Sequence, residues 1–118
     1  MRITKQNVRV VEDDNSRMVE GYTHPALPGL AAVKRNDSQP VDWLLVHTNS
    51  GYKCGTLPTK QLAIRALREL IAAGVNWTLD PDTLRNTYGA CHLRGLVADA
   101  ITAAGDRFKQ RRLFPQWA

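Results

Sequence analysis

Cysteine is scarce in this sequence of 118 residues, and so are long apolar runs, blocks of one charge and recognisable reaction motifs. The two cysteines, Cys54 and Cys91, are compatible with one disulfide. The N-terminal stretch Met1-Arg2-Ile3-Thr4-Lys5 lacks the continuous apolar core of a secretory leader, so reduced, partly buried thiols in a cytoplasmic protein are the expectation. The longest wholly apolar stretches run for a few residues, as from Trp43 to Val46. That is far short of the roughly 20 residues that span a bilayer, and no membrane partner is expected. There is no Gly-x-x-x-x-Gly-Lys phosphate loop, no Gly-x-Gly-x-x-Gly and no Gly-x-Ser-x-Gly elbow.

The chemistry-bearing residues that are present do not assemble on spacing alone. His24, His47, Cys54, Cys91 and His92 form neither a Cys-x-x-Cys nor a histidine pair four apart. Adjacent Cys91 and His92 diverge by about 100° on a helix, and no metal is assigned. Asp13 and Asp14 fall in a turn cluster, and Asp80 and Asp82 open a helix, so each has a structural use. The sequence therefore points to a binding protein and not an enzyme, with no catalytic residue and no cofactor.

What is there is ordinary globular composition, 43% hydrophobic and 23% charged, in a length suited to one core, so residues 1–118 are read as a single domain. Arg2–Val11 and Arg17–Tyr22 alternate as strands around a polar turn, an N-terminal hairpin. Thr23–Gly29, with two prolines, is a loop, and Leu30–Arg35 is a short strand. Val41–Thr48 and Tyr52–Leu57 flank Asn49-Ser50-Gly51, a tight hairpin loop whose glycine can take a positive φ. Pairing Thr48 with Tyr52 places Leu44, Val46 and Cys54 on one face and Trp43, Leu45, His47 and Lys53 on the other. That register separates Cys54 from His47 and argues against a thiol–imidazole nucleophile. Thr59 caps a helix from Lys60 to Ala73 that turns Ala63, Ala66, Leu67, Leu70 and Ile71 inward and Lys60, Gln61, Arg65, Arg68 and Glu69 outward. A short helix starts at Pro81 and ends near Gly89, and a third, about Cys91 to Ala104, is stopped by Gly105. The fold class is α+β: an antiparallel sheet of three strands, or five with the hairpin, against one long helix, with further C-terminal helices.

Net charge is +5, with +3 of it in residues 81–118. A basic balance favours nucleic acid or an acidic protein surface as partner. Two candidate surfaces follow. One is a sheet face with Trp43, His47 and Lys53, and with Lys34 from the neighbouring strand, beside Lys60, Arg65 and Arg68 of the helix; the alternative is that Trp43 is covered by the hairpin or the C-terminal helices. The other is the segment 106–118, in which Arg107, Lys109, Arg111 and Arg112 interleave with Phe108, Leu113, Phe114 and Trp117, a mixture typical of interface anchors. Its alternative is a continuation of the third helix to about Arg112, with Phe114 and Trp117 folded onto the core. A homodimer through exposed apolar groups is a further possibility.

From Leu30 to Trp77 the order strand, strand, tight turn, strand, helix, with the run SGYKCGTLPTKQLAIRALREL from Ser50 to Leu70, resembles the three-stranded-sheet-plus-helix DNA-binding modules of phage-type tyrosine recombinases. It is also similar to small phage and plasmid accessory proteins with an H-T-x-S-G … T-K-x-x-A pattern, here His47 to Gly51 and Thr59 to Ala63. The resemblance covers under half of the chain, and the recombinase catalytic domain is missing. It implies an accessory protein of a mobile genetic element whose sheet enters the DNA major groove, which would place Trp43, His47 and Lys53 there. The strands lack the dense arginines of that family. The same setting admits an anti-CRISPR-like inhibitor that occupies a host defence complex, and a dimeric adaptor.

Overall fold

The computed structural model describes residues 3–12, 15–35 and 42–117, with side chains described through residue 105. Five strands, β1 (Thr4–Glu12), β2 (Asn15–Thr23), β3 (Leu30–Arg35), β4 (Asp42–His47) and β5 (Lys53–Leu57), precede three helices, α1 (Lys60–Ile71), α2 (Pro81–Tyr88) and α3 (Ala90–Trp117). The strands form one sheet in sequence order, each antiparallel to the next. The fold is α+β, and the N-terminal hairpin belongs to the sheet.

The sheet is rolled. β1 and β2 pair along nine positions, yet β2 meets β3 only at Gly21↔Val33 and Tyr22↔Ala32. The hairpin peels away from β3 and curls until the Val11 N–H donates to the Gly51 carbonyl at 2.8 Å, with a parallel bridge from Val11 to Tyr52. Gly51, at φ +81°, has the backbone conformation that side chains disfavour, and a Cβ there would come within 3.0 Å of the Arg9 carbonyl oxygen. The inside of the roll is one apolar cluster of Val8, Val10, Ala31, Val33, Leu44 and Val46. The outside is the larger core: Leu30, Ala32, Leu45 and Leu57 packed under Leu62, Ala63, Ala66, Leu67 and Leu70 of α1 and Val97, Ala100 and Ala104 of α3. Both faces of β3 are thus covered, which explains why Leu30–Val33 is an unbroken apolar run with no alternation.

Helix α1 begins as its sequence dictates, with the Thr59 hydroxyl accepting from the Leu62 N–H at 3.2 Å. Asp80 caps α2 in the same way through Thr83, and Pro81 occupies a first-turn position. Helix α3 continues through Gly105, as the alternative reading of segment 106–118 has it, but also passes Arg112 and Pro115 and ends at Trp117. A glycine inside a helix costs only about 1 kcal/mol relative to alanine, and Gly105 stops nothing without a left-handed turn to accompany it.

The β4–β5 register is the expected one at Trp43↔Leu57, Leu44↔Thr56 and Leu45↔Gly55, and departs from it only beyond Leu45. Leu45 opposes Gly55 and Val46 opposes Lys53, so Cys54 is an extra residue in a bulge. The loop is one residue longer than the sequence suggested: the Gly51 N–H donates to the His47 carbonyl at 2.7 Å, and the His47 N–H donates to the Tyr52 carbonyl at 2.9 Å. The bulge returns Cys54 to the α1 side of the sheet, away from Leu44 and Val46.

Candidate nucleic-acid interface

The face carrying Trp43, Leu45 and His47 was expected to be exposed; it is the face that the helices cover. His47 corrects most sharply. It is buried, and its Nε2 lies 2.8 Å from the carbonyl oxygens of both Trp77 and Leu79. Two acceptors at one nitrogen require that Nε2 carry the proton. Nδ1 sits 2.8 Å from the Ser50 hydroxyl, which in turn accepts from the Tyr52 N–H at 3.2 Å. The ring therefore pins the 76–80 segment to the β4–β5 loop, and both nitrogens are occupied. His47 is not a groove-facing contact.

Trp43 lies on the same face, half-buried, at the opposite end of β4. Its ring centroid is 6.0 Å from that of Tyr22, with the planes tilted by 45°. Tyr22 is opposite Lys5 in the β1–β2 register, and Trp43 is opposite Lys34 in the β3–β4 register, so all four share one face. The Lys60 ammonium, at the start of α1, stands 4.0 Å from the Tyr22 ring centroid, and that of Lys5 stands at 5.7 Å. Lys5, Lys34 and Lys60 are exposed around this aromatic pair. The Glu20 carboxylate is 3.6 Å from Lys5 in a solvent-exposed pair that contributes little.

The remaining nominated residues separate into three groups. Lys53 is exposed beside a different feature, a pocket of about 840 Å³ between β5, α2 and α3. Arg68 is exposed and Arg65 half-buried on α1, with Arg68 in the last turn of that helix. Arg107, Lys109, Arg111, Arg112, Phe114 and Trp117 all fall on the C-terminal part of α3, where side chains lie outside the described residues. The sequence reading missed Tyr22 and Lys5. Their alternation within the hairpin was visible, but only the pairing of Tyr22 with Ala32 brings them beside Trp43.

The bulge brings Cys54 and His47 to the lining of one pocket, contrary to the expected separation. Each group is engaged there in its own way. Burial pushes the Cys54 thiol up to about 11, with a hydrogen bond to the His47 backbone offsetting part of the rise. The Cys54 thiol is held toward its protonated form, and the His47 ring nitrogens are hydrogen-bonded to Ser50, Trp77 and Leu79. Among the described residues, no three of His, Cys, Asp and Glu gather where a metal ion could be held. No helix among the described residues is long and apolar enough to cross a membrane. Comparison of the chain with family models, curated proteins and solved structures gives no match.

Proposed function

We propose that this chain is a non-catalytic accessory protein of a mobile genetic element that binds single-stranded nucleic acid on the Lys5–Tyr22–Lys34–Trp43–Lys60 face. The observation that carries the reading is the lysine-framed aromatic pair, Lys60 over Tyr22 and Tyr22 against Trp43. Lysines are mobile point charges suited to tracking phosphates and lack the planar fork with which arginine reads guanine edges, which favours backbone contact over base readout. A half-exposed aromatic pair offers a platform for an unpaired base, and stacking of that kind is tolerant of sequence. The mobile-element setting rests on the resemblance of residues 30–77 alone.

The test is a fluorescence-anisotropy titration of a labelled oligothymidylate and of a duplex of equal length across a salt series. The reading predicts tighter binding to the single strand and a linear fall of log affinity with log salt. Absence of salt-sensitive binding to either form at low ionic strength, with capture of one stoichiometric acidic protein from a host lysate, would replace it with the inhibitor reading.

A further inference from the structure

The pocket lies at the opposite end of β4 from the aromatic pair, with His47 on its wall and Trp43 about 13 Å away along the strand. Its volume, about 840 Å³, falls within the range of small-molecule sites. Trp77, Leu84 and Val97 are buried in its lining, and Ile101 packs so closely over Gly55 that a Cβ there would stand 2.7 Å from Ile101 Cδ1. The polar groups of this wall are mostly quenched. His47 has both nitrogens engaged, Cys54 is a neutral thiol, and Arg85 is paired with Asp82. Lys53 and Arg94 remain, two exposed cations on β5 and α3 with no acidic partner among the described residues. Trp77, also part of this wall, carries the only buried side-chain nitrogen or oxygen without a hydrogen-bond partner among the described residues, its indole N–H.

An apolar interior below two unpaired cations is complementary to a molecule with an apolar body and one anionic end. We propose that this pocket binds a small amphipathic carboxylate, its hydrocarbon or aromatic part against Leu84, Val97 and Ile101 and its carboxylate between Lys53 and Arg94. Burial of the apolar part supplies most of the affinity, and the two cations fix its orientation. The pocket is separate from the nucleic-acid face, so either assignment can fail without the other.

Titration of the full chain with cis-parinaric acid, followed by its fluorescence, tests the assignment. One saturable site is expected, with dodecanoate displacing the probe at least about tenfold more effectively than methyl dodecanoate, about 1.4 kcal/mol. Ala98→Trp places a large ring at the pocket from an exposed helix position; it should abolish probe binding and leave the melting temperature and oligothymidylate binding unchanged. Lys53→Gln with Arg94→Gln should raise the dissociation constant for the acid about tenfold and leave the ester unaffected, which converts to about 1.4 kcal/mol. Equal competition by acid and ester, or probe binding that survives Ala98→Trp, would overturn the proposal. So would binding of an acidic amphipathic peptide, blocked by Ala98→Trp, in a protein that takes up no parinaric acid.

Discussion

His47 shows how one side chain can pass from apparent contact residue to structural tie. Polar, and opposite an apolar strand face in the simple alternation pattern, it invited assignment to a surface; instead it donates to Trp77 and Leu79 and holds a loop that has no strand or helix of its own. Replacing His47 with alanine leaves the buried Trp77 carbonyl and the part-buried Leu79 carbonyl short of a donor and should destabilise the fold by about 1–3 kcal/mol, read from urea denaturation. Oligothymidylate affinity measured well below the midpoint should be unchanged. Loss of binding with unaltered stability would return His47 to the interface. The two cysteines separate on the same grounds. Cys91 is exposed, whereas burial holds the Cys54 proton until about pH 11. Ellman's reagent at pH 8 should therefore modify Cys91 quickly and Cys54 slowly, with the Cys54 rate still rising as pH approaches 11; equal rates at pH 8 would contradict the burial.

At the scale of elements, what the sequence made legible was local. Helix α1 was readable because cap and apolar stripe agree: Thr59 accepts at one end, and Ala63, Ala66, Leu67 and Leu70 are buried along one side, although the helix ends at Ile71 and not at Ala73. Leu67→Ala should cost about 2–5 kcal/mol, measured by thermal or chemical unfolding, and an undiminished melting temperature would mean that the helix faces the other way. The strands were also found, but the face they present was not. The alternation along β4 is as expected, with Leu44 and Val46 on one side and Trp43, Leu45 and His47 on the other, but which side the helices cover depends on the curl of the distant hairpin; the bulge at Cys54 changes only the start of β5. Gly55 was the readable hint. A glycine within a strand often marks close approach, and here Ile101 of α3 fills the space a side chain would take. Gly55→Val should push α3 from the sheet and destabilise the protein by about 1–3 kcal/mol, detected as a lower midpoint in urea. The end of α3 was misjudged for a simpler reason: Gly105 was treated as a stop, although a helix held by packing through Val97, Ala100 and Ala104 tolerates a glycine one position further on.

For the whole molecule, the decisive feature is the roll of the sheet, which the sequence concealed because it depends on contacts between residues about forty apart, such as Val11 with Gly51. Rolling buries one sheet face with the chain's own hairpin, and the helices bury the other, so among the described residues neither face of the sheet is left flat and open. What remains open on the α1 side is its edge, where Lys5, Lys34 and Lys60 surround Tyr22 and Trp43. Composition gave the basic balance, and Trp43, Lys34 and Lys60 were already in the nominated set. Tyr22 and Lys5 needed the register. The most direct measurement is the salt dependence of oligothymidylate binding by the wild-type chain and by a variant with Lys5, Lys34 and Lys60 all changed to glutamine. With three phosphate contacts removed, the slope of log affinity against log salt should fall in magnitude by about 2, at an unchanged melting temperature. An identical slope in the two proteins would contradict the account and place any nucleic-acid contact elsewhere on the chain.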